Sequence, residues 1–281
     1  MANKGKYYES QFEEATIELL REAHWQYTFG DDIHRKYTDP LIEEDLRNYL
    51  IKQHRDKNLT APEIDGIVAN LRNTGGQNDY YALRNAFLLY RDGYDFAYSD
   101  GRDNPFRLEY IDFEHPDHNI FRCVNQFVME QGRENRRPDI LLFINGIPVC
   151  IIELKNPTKQ NATIHDAHTQ ICTRYMRDIP ALLKYCALAV ISDGAKNALG
   201  TTYTPFEFFY EWKKIENEDK AGKGLDTLRT LIRGALSPER ILEILRDYVY
   251  FPDPTKEDDT TEIVCRYPQF FATRKLRDNI L

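Results

Sequence analysis

RPDILLFINGIPVCIIELKNP, residues 137–157, consists of two apolar runs joined by Asn145-Gly146. An Asn-Gly pair between apolar runs is the strongest short signal for a tight hairpin, because both residues tolerate positive φ. Residues 139–144 and 147–154 are therefore predicted as paired strands. Working outward, Phe106, Leu108, Tyr110 and Phe113 alternate with polar residues and predict a strand over 106–113. HPDHN (115–119) reads as a turn, and 120–129 as a further strand. A helix over 163–177, a strand over 185–192 and a loop from Ser192-Asp193-Gly194 follow. Upstream, apolar residues at helical spacing predict helices over 7–23, over 40–54 with Pro40 in the first turn, from Thr60-Pro62 onward, and through Ala82–Leu89. Downstream, 213–224 reads as a charged loop, 225–247 as helix and 251–262 as a proline-containing acidic linker. The pattern is α/β, a mixed central sheet flanked by helices, with extra N-terminal and C-terminal helices.

The whole chain fits that picture. It has 281 residues, 42% of them hydrophobic, enough for one large domain or two unequal ones. No apolar run reaches the roughly 18 residues needed to span a membrane. The N-terminus lacks the apolar core of a signal peptide, so a soluble, cytoplasmic protein with no membrane partner is expected. Five scattered cysteines form no CxxC pair, and Cys123, Cys150 and Cys186 sit in apolar runs as reduced thiols. The net charge of −8 argues mildly against a free-standing nucleic-acid binder. It leaves local patches, and work inside a larger assembly, open.

The hairpin also gathers charge. A two-residue turn sets Asp139 opposite a position near 152, so Asp139 lies beside Glu153 and Lys155. Strand alternation sends Glu153 and Lys155 to one face. Two close carboxylates can hold Mg²⁺, a hard cation that takes oxygen ligands, and the Leu154 carbonyl could add another oxygen. Lys155 could orient a water or neutralise charge developing on a phosphate. Phosphodiester hydrolysis needs that combination. On these residues alone, a structural Glu-Lys ion pair at a strand end stays equally open.

Pro138-Asp139…Glu153-Leu154-Lys155 has the form of the PD-(D/E)XK nuclease motif. The longer 137–157 string resembles the N-terminal nuclease domain of the R (motor) subunit of type I restriction enzymes. FEEATIELLREAHWQY (12–27), ISDG (191–194) and FFYEWKK (208–214) extend the match over nearly the whole chain. The resemblance implies a restriction-endonuclease-like core in which Asp139 and Glu153 ligate Mg²⁺, with Mn²⁺ as a substitute, and Lys155 is catalytic. It also implies a glutamate from the first helix, with Glu13 preferred to Glu14, and a Gln-xxx-Tyr pair after the catalytic strand. Here QICTRY places Gln170 and Tyr175 five apart rather than four, which turns them toward different sides of an α-helix. RYPQFFATRKL (266–276) resembles the segment leading into the first motor domain, where Tyr267 and Gln269 would serve adenine recognition in the full subunit. No GxxxxGK(S/T) occurs in the 281 residues. The expected division is 1–250 as nuclease domain with helical additions and 251–281 as linker and start of a motor. ATP would act only through that motor. The implied partners are double-stranded DNA and the methyltransferase and specificity subunits. A catalytically silent DNA-clamping module and a stand-alone resolvase or repair nuclease are the rival readings.

Two clusters complete the reading. Arg133, Arg136 and Arg137, with Lys155 and Lys159, form a local basic patch that could contact DNA phosphates; a solvated loop is the alternative. The seven histidines show no HxxxH or HExxH spacing, and His115, His118, His165 and His168 are read as surface residues rather than zinc ligands.

Overall fold

The computed structural model describes residues 2–98, 101, 105–155, 163–216, 222–252 and 260–280, with residues 2–9 described by their backbone. In chain order the elements are α1 (Ala2–Glu22), β1 (Gln26–Phe29), α2 (Glu43–Gln53), α3 (Ala61–Asn73), α4 (Asp79–Asp92), β2 (Tyr94–Phe96), β3 (Phe106–Leu108), β4 (Phe121–Asn125), β5 (Met129–Gln131), β6 (Glu134–Arg136), β7 (Ile140–Ile144) and β8 (Ile147–Leu154). After these come α5 (Ile164–Thr169), a π-turn (Gln170–Tyr175), α6 (Met176–Asp178), α7 (Pro180–Leu183), β9 (Leu188–Ser192), β10 (Asn197–Gly200), α8 (Leu225–Leu231), a second π-turn (Ile232–Leu236), α9 (Pro238–Asp247), β11 (Val249–Tyr250), β12 (Ile263–Val264) and α10 (Tyr267–Ile280).

Six strands form one mixed sheet in the order β1-β4-β7-β8-β9-β10. β1 runs parallel to β4 and β8 parallel to β9, while the other pairs are antiparallel. Every residue of β7, β8 and β9 is buried, as expected of strands covered on both faces. One face carries the larger core, where α1 contributes Ile17 and Leu20, α2 Leu46, α3 Ile67, α4 Phe87, α8 Leu231, α9 Ile241 and α10 Phe270. The other packs Val124, Leu141, Phe143, Ile151 and Ile191 against Ile164, Ile171 and Tyr175 of the α5–π segment and Leu182 of α7. Described residues of the 251–281 segment return to the larger core through Phe251 and Phe270. Among the described residues, no helix is long and apolar enough to cross a membrane.

The hairpin turn has φ of 50° at Asn145 and 77° at Gly146, the left-handed geometry an Asn-Gly loop allows. A Cβ on Gly146 would sit 2.1 Å from the Ile42 carbonyl oxygen, so only glycine fits there. Asn145 is fully buried. It accepts from the Ile120 N–H (2.8 Å) and donates to the Tyr110 carbonyl (2.9 Å) and Asn119 Oδ1 (2.8 Å).

Several predicted boundaries move, each for a local reason. The hairpin register slips by one between Leu142 and Phe143, pairing Leu142 with Cys150 but Phe143 with Pro148. Val149 is thus the extra residue of a β-bulge, and residue 152 faces 140 rather than 139. The predicted 120–129 strand breaks at Gln126, whose φ is 54°. The chain resumes as β5, which pairs with β6 in a separate hairpin. α2 begins at Glu43, so Pro40 lies before it. The 225–247 helix is two helices separated by a π-turn and Ser237-Pro238. The predicted 106–113 strand shortens to β3, and β1 and β10 are further strands of the sheet.

Candidate active site

The bulge decides where Glu153 points. Upstream of it, Ile147 and Val149 face the larger core; downstream, Cys150, Ile152 and Leu154 do, and Ile151 turns to the opposite side. Glu153 and Lys155 follow Ile151. Across the hairpin, Leu141 and Phe143 face the same side, which gives Asp139 that direction too. The sheet therefore delivers Asp139, Glu153 and Lys155 to one edge, on the face covered by α5 and its π-turn.

Asp139 Oδ2 accepts the Leu154 N–H at 2.8 Å, which ties the two strand ends together. Lys155 Nζ donates to Glu153 Oε1 at 2.8 Å and to Gln170 Oε1 at 2.7 Å. Gln170 Nε2 in turn donates to the Tyr175 hydroxyl at 2.7 Å. The five-residue spacing of Gln170 and Tyr175 would separate them on an α-helix. Residues 170–175 are instead π-helical, with i→i+5 bonding that sets them on one face. The extra residue in QICTRY is absorbed by the backbone, and the expected divergence of these side chains does not occur.

Glu13 approaches from α1. Its Oε1 accepts from Asn125 Nδ2 (2.6 Å) and its Oε2 from Gln126 Nε2 (2.8 Å). Glu14 is exposed and accepts from Ser10 Oγ at 3.4 Å. The left-handed turn at Gln126 that ends β4 also sends its N–H to the Asp139 carbonyl (3.2 Å). Tyr27 Oη donates to Asn125 Oδ1 at 3.0 Å. Asn125, Gln126 and Tyr27 were missed by sequence reasoning. Two adjacent carboxamides interrupting the apolar run of β4 were the available signal.

The electrostatics are those of a buried anionic cluster. Burial pushes the Asp139 carboxyl up to about 6, against the Leu154 hydrogen bond and the Lys155 ammonium, with the Glu13 charge adding to the rise. Glu153 is 1% exposed. Burial first, and then the Asp139 carboxylate, hold it well above the ordinary range despite Lys155. Burial, followed by the Glu153 charge, raises the Tyr175 hydroxyl. Glu153 Oε2 is buried with no hydrogen-bond partner among the described residues. A carboxylate oxygen in that condition is costly unless a cation meets it.

The basic patch is divided. Arg133 and Arg137 are exposed. Arg136 is committed to ion pairs with the buried Asp178 (2.7 Å) and with Glu134. Lys159 lies outside the described residues. Gln269 Oε1 accepts the Arg266 N–H at the start of α10 (2.9 Å). His165 and His168 pack on Phe206, and His168 Nε2 meets the Thr204 carbonyl at 2.9 Å. His115 and His118 instead converge on Asp112.

The family model described as type I restriction enzyme R protein N terminus matches residues 6–208. The type I restriction enzyme HindI endonuclease subunit of Haemophilus influenzae is 27% identical across 97% of this chain and 27% of its own length. Two putative type I restriction enzyme endonuclease subunits of Methanocaldococcus jannaschii are also similar. MjaIXP is 28% identical over 96% of the chain and 27% of its own length, and MjaVIIIP 30% identical over 86% and 22%. The chain spans about a quarter of the length of these curated relatives. A family match over most of the chain, on a mixed α/β fold whose sheet edge gathers carboxylates and a lysine, places it in the family of type I restriction enzyme R protein N-terminal domains.

Proposed function

We propose that this chain is the DNA endonuclease domain of a type I restriction R subunit, hydrolysing phosphodiester bonds with Mg²⁺ at a PD-(D/E)XK site. The observation that carries the reading is the orphaned Glu153 Oε2, buried beside Asp139 with Lys155 on the other carboxylate oxygen. That donor set fits a hard divalent cation. Asp139 and Glu153 would hold it, with the Leu154 carbonyl as a further oxygen and Mn²⁺ as a substitute. Such an ion supplies Lewis acidity to the phosphodiester and makes water more acidic.

The chain's own groups do the rest. Lys155, fixed between Glu153 and Gln170, keeps an ammonium where negative charge develops on the attacked phosphate. Tyr175 holds Gln170, and Gln170 holds Lys155, so the lysine's direction is set before DNA arrives. Glu13, clamped by two carboxamides, adds a third carboxylate to the field at Asp139. Arg133 and Arg137 face solvent and would take backbone phosphates. In the full subunit, ATP-driven translocation by a motor beginning near residue 251 would precede cutting, in the cytoplasm, with sequence choice left to methyltransferase and specificity subunits.

The test is plasmid cleavage by the complete complex carrying Asp139→Ala or Lys155→Ala. Loss of cutting with ATPase activity intact is expected. Retained cutting overturns the assignment. Mn²⁺ titration of the same proteins separates a nuclease from a silent clamp, since only the former requires metal binding that Glu153→Ala abolishes.

A further inference from the structure

We infer that Asp112, His115 and His118 form a second metal site, for Zn²⁺ or a similar imidazole-preferring cation, distinct from the carboxylate cluster. One ligand atom from each residue lies within 4.8 Å of the others. Asp112 is 5% exposed. Its Oδ1 accepts the backbone N–H groups of Glu114 (3.0 Å) and His115 (2.9 Å), which fixes the carboxylate plane. Its Oδ2 faces His118 Nδ1 at 2.8 Å, His115 Nδ1 at 3.3 Å and Gln53 Nε2 at 3.0 Å. The imidazoles stack with centroids 4.8 Å apart and 24° between planes, so both Nδ1 atoms arrive from the same side.

Without metal, each imidazole Nδ1 at that oxygen either donates, which with the Gln53 amide makes three donors against about two lone pairs, or sets its own lone pair against the carboxylate. A cation bound by deprotonated Nδ1 atoms replaces two of those protons and relieves the crowding. The scaffold is already rigid. Asn119 Oδ1 accepts the Asp112 N–H (2.9 Å) and Asn119 Nδ2 donates to the Asp112 carbonyl (2.7 Å). Residues Pro116–His118 form a single 3-10 turn that begins just after His115 and includes His118.

Two imidazoles and one carboxylate favour Zn²⁺, Co²⁺ or Ni²⁺ over Mg²⁺, and three protein ligands leave a position for water. The loop enters β4 at Phe121, whereas Asn125 and Gln126, at the other end, hold Glu13. Those two ends of β4 are roughly 13 Å apart along the strand. The second ion would therefore sit apart from the carboxylate cluster, held by Asp112, His115 and His118. It would clip the loop to Gln53 at the end of α2, while Glu114 ties the same loop to Arg246 of α9 (2.8 Å).

The test is Zn²⁺ calorimetry on the 281-residue chain carrying Glu153→Gln, which silences the other cluster, with and without His115→Ala or His118→Ala. One equivalent of Zn²⁺ is expected in the parent, weakened at least about tenfold in each histidine variant and not displaced by excess Mg²⁺. Co²⁺ should give a visible absorption band that His118→Ala removes, and Zn²⁺ should raise the parent's Tm. Circular dichroism controls for folding, which replacing the exposed His115 or the half-buried His118 should leave intact. Affinity unchanged by both histidine variants, or no Zn²⁺ bound by the parent, overturns the site.

Discussion

Asp139→Asn should stabilise the metal-free protein above neutral pH. The Asp139 carboxyl rises from its ordinary 3.8 to about 6 because the fold buries it. At ~1.4 kcal/mol per pH unit, the ionised form weakens the folded state by about 3 kcal/mol relative to the unfolded chain. The sign follows from the folded value being the higher one. Folding is favoured by this group below about pH 4, and that contribution is lost as pH rises through 6. About 2 kcal/mol of the loss falls between about pH 4.5 and 7.5. Asparagine carries no charge yet can still accept the Leu154 N–H. Glu153 is present in both proteins, and losing the Asp139 charge eases its ionisation, which adds to the variant's gain in the same direction. Urea unfolding in EDTA should therefore show the variant gaining about 2 kcal/mol on wild type between those pH values. Excess Mg²⁺ should then restore wild type alone. A gap that does not change with pH, or equal stabilisation of both proteins by Mg²⁺, refutes the reasoning.

Tyr175→Phe removes the hydroxyl that Gln170 Nε2 meets; cleavage by the assembled enzyme at saturating metal should fall about tenfold while Mn²⁺ affinity stays constant. Asn145→Ala strips three hydrogen bonds from a fully buried turn and leaves alanine at φ 50°. It should lower stability in urea by about 3 kcal/mol. Arg133→Ala with Arg137→Ala should reduce the salt slope of non-specific DNA binding, measured by fluorescence anisotropy, by about 1 per arginine. Arg136→Ala should instead destabilise the fold with the slope unchanged, because it leaves the buried Asp178 with Arg177 as its remaining described ion-pair partner.

The hairpin was legible because its turn chemistry is local. Asn145-Gly146 announces itself, and any register that follows brings Asp139 near Glu153. The bulge was not legible, since IPVCII is apolar at every position and has no alternation to count. The same holds for the π-turn: QICTRY carries no residue type that marks the wider coil through which Gln170 meets both Lys155 and Tyr175. β1 is four residues long, and half-exposed Tyr27 and Phe29 carry no burial pattern. The break in β4 rests on one left-handed glutamine, a conformation that residue type alone rarely signals. Buried helices with clear starts were easier, as Thr60 and Pro62 show by standing at the N-cap and first turn of α3. The arginines separated only once Asp178, forty residues downstream, came beside Arg136.

The bulge at Val149 gives the hairpin two independent ends. Counting from the turn, odd-numbered residues of β8 belong to the larger core as far as Val149, and even-numbered ones do from Cys150 onward. A straight strand of equal length would carry Glu153 into the apolar layer beneath α1, beyond the reach of Lys155's partner Gln170. The parity switch lets the turn end be fitted to Ile42 and the helices around it while the other end brings Glu153 to Lys155 and Gln170. Deleting Val149 should therefore leave a hairpin that still closes on Asn145-Gly146 but presents its carboxylate to the wrong side of the sheet.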